Sequence, residues 1–496
     1  MATVLTTLLL IPIVTAAALF LGFGNRTWAK GSALLQLTLT LALWFRYDQA
    51  KAGYQFIFET NPLFPGVDLR YSVGVDGLSL VMLLLTALVT VAAVWFLPQL
   101  EKRANLFDGS VLLISAGATG AFLAKDLFFF YAFHELALVP TFLLIGLFGS
   151  GERQAAAWKI TIYLGVGSIV LLAGLVDLLM ALPVSSRTFD LQALQQLGAA
   201  HMIPAAAQIR PWFLLTIGFG TLISLFPFHS WAAPAYASAP TPVAMLHSGV
   251  LKKFGLYGMV RLVLPFLPDA FHQPVWGNYT AQDLLLIALL GNILYVGLVT
   301  ISQRKLDFMI GYSSVMHMGY IFLGLASLNL AGLSGACLLM FAHGLSVAAL
   351  FAVSGALRDR EGSLHFDKLG GASKSVPFLG ICFAMAAFAS IGLPGFANFA
   401  SETMVFFGGF SPGATSFQKT ATILALWGVV ISAVYMLRAY KAVFLGQHTA
   451  SSTKWTDLAG SARFALALLP LTLLLGGVFP RYFLSYLKPT LEATLR

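Results

Sequence analysis

The sequence predicts an all-α integral membrane protein of about 14 transmembrane helices, with two inverted five-helix repeats in which helices 7 and 12 are broken. Three observations carry this prediction. Of the 496 residues, 58% are hydrophobic and only 10% are charged, whereas a soluble domain carries roughly a quarter charged residues. Apolar runs near the ~20 residues needed to cross hydrocarbon recur from end to end. Two of the runs carry a proline break at matching places in successive sets of five.

The first seven runs fall near 3–23, 29–46, 77–98, 109–124, 126–148, 156–182 and 211–231. The second seven fall near 242–264, 282–302, 308–328, 331–357, 375–410, 419–446 and 462–485. Each is helical by necessity, because backbone groups in hydrocarbon find partners only within their own segment. The first run lacks a basic n-region and a cleavage-like site, so it reads as a spanning helix rather than a removed signal. The run at 375–410 is too long for one simple helix. Longer polar connections lie at 47–75, 183–210, 357–374 and 447–461. These features divide the chain into 1–108 (helices 1–3 and an outer loop), 109–264 (helices 4–8), 282–446 (helices 9–13) and 447–496 (the final helix and tail). Pro227 lies in SLFPFHSW of run seven, and Pro394 in IGLPGFANFASE of run twelve. Interrupted helices at corresponding positions mark an inverted repeat with ion sites at the breaks.

The formal charge of +9 does not indicate nucleic-acid binding, because the basic residues sit in short loops where they set topology. With the N-terminus outside, inner loops collect the larger share, including Arg26, Lys30, Arg153, Arg304, Arg358 and Arg438. Cys337 and Cys382 lie far apart in apolar runs, so no disulfide, metal site or iron–sulfur cluster is expected.

The chemistry resides in the rare ionisable groups within the runs. Glu135 has long apolar flanks on both sides, where a charge costs ~2.5–3.5 kcal/mol unless protonated, paired or hydrated. Lys253 lies mid-run, and a lysine desolvated there can release and rebind a proton near neutral pH. Lys252 points about 100° away around the helix, while His247 lies under two turns before Lys253. His317 and His343 occupy consecutive runs. One such histidine alone is more often a structural hydrogen-bonder, but two together with Lys253 and Glu402 form a file of titratable groups. Glu402 follows the Pro394 break, where freed carbonyls and water can approach. No nucleophile–base set, phosphate-binding loop or haem-ligating pattern accompanies them.

The motifs GVDGLSL, FFxxxHELALVP, PTPVAML…GVLKKFGLYG, YSSVMHMGY, AHGLS and LPGFANFASE resemble, in order, those of the antiporter-like membrane subunits of respiratory complex I. The likeness runs through roughly 70–480. The YSSVMHMG histidine and the length are similar to the chain 4 type, closest to that of the photosynthetic NDH-1 complexes of thylakoids. The resemblance implies a proton channel in a complex that couples electron transfer to plastoquinone with proton pumping. It further implies iron–sulfur clusters and plastoquinone in partner subunits, with no cofactor in this chain. By the same resemblance Glu135 matches the helix-five carboxylate and Lys253 the helix-eight lysine. His317 and His343 match the central histidines, and Glu402 the terminal group of helix twelve.

Three departures stand out. The family's helix-seven lysine, which pairs with the helix-five glutamate, is replaced by Leu222. The tryptophan before that glutamate is His134, a candidate substitute cation. The usual LPDAH reads AAPAY. They point to the variant that supports CO2 uptake, with a CO2-hydration subunit as a further partner. Two other classes compete: a subunit of a multi-chain Na+/H+ antiporter, and a stand-alone solute carrier. The YSSVMHMG histidine and the sparse line of titratable groups weigh against them.

Overall fold

The computed structural model describes residues 2–51, 53–64, 69–100, 102–445, 447 and 455–495. The first half comprises α1 (Ala2–Phe20), α2 (Arg26–Arg46), α3 (Gly77–Trp95), α4 (Ala104–Leu123), α5 (Leu127–Phe148), α6 (Arg153–Ala181), α7 (Leu191–Ala199), α8 (Ala205–Ile223) and α9 (Ala232–Ser238). A long kinked helix follows as α10 (Thr241–Leu246), α11 (Lys253–Gly258) and α12 (Leu264–Phe266), joined by π turns at His247–Leu251 and Met259–Val263. Next come α13 (Ala281–Leu290) and α14 (Gly297–Ser302), joined by a π turn at Gly291–Val296, then α15 (Leu306–Ala326), α16 (Leu330–Glu361), α17 (Pro377–Ile391), α18 (Ala397–Gly409), α19 (Ser416–Tyr440), α20 (Gly460–Val478) and α21 (Pro480–Thr494).

Each predicted run contains a helix, and ten spans among the described residues are long and apolar enough to cross a membrane. Local sequence sets their starts. Asp76 caps α3 by accepting from Ser79 N, Asp126 caps α5 by accepting from Phe128 N and Phe129 N, and Asn329 caps α16 by accepting from Gly332 N. Each short side chain satisfies an amide that the helix itself leaves open.

The predicted breaks are present. α8 ends at Ser224 and α17 at Gly392, each in the left-handed region with φ of 68° and 81°. That conformation turns the chain out of the helix, and glycine adopts it without strain. Asn292, fully buried in the π turn before α14, spans the first break. Its Nδ2 donates to Ser224 O at 3.0 Å and to Val315 O at 2.9 Å, while Oδ1 accepts from Phe226 N at 2.6 Å. The amide thus ties the broken segment to α15.

The all-α class holds, with two short hairpins in the connections: β1 (Gln55–Glu59) pairs antiparallel with β2 (Ser72–Val75), and β3 (Pro274–Trp276) with β4 (Tyr279–Thr280). One boundary needs correction. The last run, predicted as 462–485, ends at Val478, because Pro480 cannot donate into a continuing helix. The separate α21 packs back on the bundle, with Thr490 Oγ1 accepting from Gly77 N at 3.2 Å. Residues 448–454 of the predicted connection at 447–461 lie outside the described residues.

Two of the basic loop residues predicted on one side, Arg26 and Arg358, lie at the same end of the bundle, beside a cavity lined by Pro98, Ser150 and Arg358. Arg26 pairs with Asp108 at 3.2 Å and donates to Pro98 O at 2.7 Å. Arg358 donates to Ser150 Oγ and to the carbonyls of Ala237 and Ala239 at 3.3, 3.3 and 3.2 Å. At the opposite end, Arg261 pairs with the capping Asp76, and the two side chains are only 5% and 4% exposed. Breaking such a pair strands the remaining charge, at a cost of about 3–5 kcal/mol. Arg261→Leu is therefore expected to lower the thermal unfolding midpoint of the detergent-solubilised protein, with Asp76→Asn, which keeps an oxygen for the cap, costing less.

Candidate functional site

The kinked helix Thr241–Phe266 and α16 carry the central contact. Their backbones touch at two glycines: a Cβ on Gly249 would lie 2.9 Å from Gly344 O, and one on Gly344 would lie 2.6 Å from Gly249 O. Small residues at such a crossing let helices approach closely in a membrane. The approach brings Lys253 and His343, each adjoining this contact, within reach. Lys253 Nζ lies 2.9 Å from His343 Nδ1 and donates to Ser248 O at 2.8 Å. The Ser248 carbonyl belongs to the π turn His247–Leu251, a loosening of the helical ladder common at functional positions. Both side chains are buried, Lys253 completely. A lone ammonium there would cost several kcal/mol. The N···N hydrogen bond offsets part of that cost and lets either group hold the shared proton.

His343 stacks obliquely against His317, with ring centroids 5.5 Å apart. His317 has a carbonyl at each ring nitrogen, with Ser313 O 2.8 Å from Nδ1 and Ser390 O 2.7 Å from Nε2. Carbonyl oxygens only accept, so both contacts are hydrogen bonds together only in the imidazolium. His317 thereby links α15 to the last turn before the second break. Beyond that break Glu402, 4% exposed, lies under Gly392, where a Cβ would come 2.5 Å from its Oε2.

The other candidates form separate groups. Lys252 turns away from His343, as its helical offset requires, and donates to Ser314 Oγ at 3.4 Å with its ammonium 5.6 Å above the Tyr236 ring. His247 Nδ1 lies 3.4 Å from Tyr236 Oη, so Tyr236 joins Lys252 and His247 into a second cluster. Glu135 departs from the expectation of burial: its side chain is 38% exposed while that of His134 is 3% exposed. It opens onto a cavity of about 210 Å³ between α5 and α6, lined by Thr141, Phe142, Ile160 and Leu164 among others. Ser168 Oγ donates to Glu135, and His134 Nδ1 stands 3.5 Å from its Oε1. That separation suits charge attraction but falls outside hydrogen-bond geometry. Leu222 is buried beside Gly167, the neighbour of Ser168.

Five participants went unremarked in the sequence: Ser248, Tyr236, Asn292, Arg261 and Asp76. Arg261 carried a signal, since it is a charge within an apolar run. The others are ordinary residue types whose roles depend on helix crossings.

The family model for the transmembrane part of NADH:quinone oxidoreductases and Mrp antiporters matches residues 124–432. The chain belongs to this family. It is 36% identical to NAD(P)H-quinone oxidoreductase chain 4 2 of Thermosynechococcus vestitus, over 89% of this chain and 82% of that one. A chain of respiratory complex I from Thermus thermophilus with bound NADH superposes with a TM-score of 0.88 at 29% identity, covering 99% of each chain. A subunit of the Mrp complex from Dietzia sp. shares the fold, with a TM-score of 0.82 at 20% identity over 100% of this chain and 99% of that one. Within the NADH:quinone oxidoreductase/Mrp family, the relatives place this antiporter-like chain with the chain 4 type of complex I. The matched region contains Glu135, Lys253, His317, His343 and Glu402.

Gly344→Val should push the kinked helix off α16 and part Lys253 from His343. Cross-linking between cysteines flanking the crossing should show the separation, while Gly344→Ala should show a smaller one.

Proposed function

We propose that this chain is a proton-conducting membrane subunit of a complex I-like NAD(P)H-quinone oxidoreductase. The observation that carries the reading is the buried row Lys253–His343–His317, with one hydrogen bond and one ring contact joining three titratable groups on three helices. Such groups deep in a membrane protein serve ion or proton movement by default. The Lys253–His343 hydrogen bond carries a proton directly between two nitrogens, whereas His343 and His317 meet only ring to ring, so passage between them needs an intervening water. A change in the charge of one group alters the field at the next, and this provides the coupling.

The finer assignment rests on the relatives' names and sources. Their cyanobacterial origin supports plastoquinone as the acceptor, NAD(P)H or ferredoxin as the donor, and the thylakoid membrane as the location. In this reading the iron–sulfur clusters and the quinone site belong to partner subunits. The departures at Leu222 and His134 support membership in the CO2-uptake form, with a CO2-hydration subunit alongside. His134, buried beside Glu135, takes over the electrostatic role of the replaced lysine.

Lys253→Ala is expected to abolish redox-driven acidification in membrane vesicles containing the assembled complex, and wild-type pumping by this variant would refute proton conduction. Purification under mild conditions should bring down iron–sulfur subunits, whereas co-purification of small antiporter subunits alone would move the chain to an Na+/H+ antiporter. His134→Trp should reduce pumping per electron, with Leu222→Lys in the same chain restoring it. Full pumping by His134→Trp alone would remove the substitute-cation idea.

A further inference from the structure

At the Arg261–Asp76 end of the bundle, α21 packs on the spanning helices through one stripe, Phe483, Tyr486, Leu487, Thr490 and Leu491, all buried. A second stripe, Arg481, Leu484, Ser485 and Lys488, repeats at helical spacing on another face. It looks onto a groove of about 550 Å³, whose other wall is Leu330, Ala331 and Ser334 of α16 with Met404 of α18. That volume lies in the range of ligand clefts, ~300–1,000 Å³.

The groove has a definite chemistry. Its lining is mostly apolar and includes no carboxylate. Two cations border it, two turns and about 10 Å apart along α21. Arg481 has no ion pair or hydrogen bond among the described residues. Lys488 is 64% exposed and meets only Glu492 of its own helix, at 3.7 Å; exposed pairs of this kind hold weakly. Ser334 lines the groove from one turn below Leu330. It is 6% exposed, and its hydroxyl makes no hydrogen bond among the described residues. A buried hydroxyl without a partner is costly, so this one is placed for an acceptor that enters the groove.

An acyl chain fits the apolar walls, a negative head fits the two cations, and an ester oxygen fits the serine hydroxyl. One molecule carries all three groups. Basic side chains beside a membrane favour anionic over zwitterionic heads, since a zwitterionic head would bring its own cation toward Arg481. The long stems of arginine and lysine also cover apolar surface while their charged ends reach the head.

We propose that the groove between α16, α18 and α21 binds one anionic phospholipid of the leaflet on that side, its phosphate held by Arg481 and Lys488. The acyl chain fills the groove and braces α21 against α16 and α18. Lipid capture here is independent of proton conduction along Lys253, His343 and His317.

The test uses the assembled complex in nanodiscs that contain photoactivatable phosphatidylglycerol or phosphatidylcholine with identical acyl chains, and labelled residues are mapped by peptide mass spectrometry. Phosphatidylglycerol should label the segments around Leu330–Ser334 and Met404 severalfold more than phosphatidylcholine. The double variant Arg481→Gln with Lys488→Gln should reduce that labelling to the phosphatidylcholine level, whereas Arg481→Lys, which keeps the charge, should retain most of it. Ser334→Phe, which fills the groove, should lower labelling by both lipids. Equal labelling of the wild type by the two lipids would make this an unselective lipid surface and overturn the proposal. So would undiminished labelling of the double variant. Absence of label at both segments would show that a partner chain covers the groove and equally overturn it. If the double variant does not assemble, the comparison of the two lipids on the wild type decides.

Discussion

The contact between Gly249 and Gly344 is the constraint on which the central site depends. Two helix backbones touch there, and only that closeness allows the Lys253 ammonium to meet His343 at 2.9 Å. The hydrogen bond makes an otherwise prohibitive buried charge tolerable. Packing and chemistry are one problem at this point, because the absence of two side chains creates the reach of a third. The π turn beside the crossing has the same effect, presenting Ser248 O to the lysine.

Around this centre the bundle keeps its fixed charges and its titratable charges apart. Arg261 and Asp76 meet near one end, while Arg26 with Asp108 and the Arg358 clamp lie at the other. These groups hold helix ends and loops in place. The titratable groups lie between them in three clusters: Lys253 with His343 and His317, Lys252 with His247 and Tyr236, and Glu135 with His134 and Ser168. Successive positions on one helix send Lys252 and Lys253 into different clusters, so adjacent residues in sequence serve separate surroundings. Glu135 stands apart because its carboxylate reaches the outer surface of the bundle, where another membrane chain rather than lipid suits a charge.

The helical architecture was legible because hydrocarbon enforces it. Long apolar runs can only be helices, and Pro227 and Pro394 marked both breaks. The end of α20 was misplaced, since α21 is apolar enough to read as its continuation, and only Pro480 betrays the boundary. The buried charges announced themselves by rarity, which singled out Lys253, His317, His343 and Glu402. The exposure of Glu135 could not be read, because a helix that is apolar all round does not reveal which of its faces looks inward. Asn292 was equally hidden. Its importance lies in partners contributed by distant segments, and no local pattern records those.

The two helix breaks are held by different kinds of bolt. Asn292 fastens the first through three hydrogen bonds, and an amide keeps its donors and acceptors at any proton concentration. The second is linked to α15 by His317, whose Nε2 lies 2.7 Å from Ser390 O, while Nδ1 faces Ser313 O of its own helix. A ring that has lost one hydrogen keeps the link only in the tautomer that carries the other on Nε2. One interruption is thus held by a group indifferent to acidity and the other by a ring whose hold depends on where its hydrogen sits, with α15 as the rail that both engage.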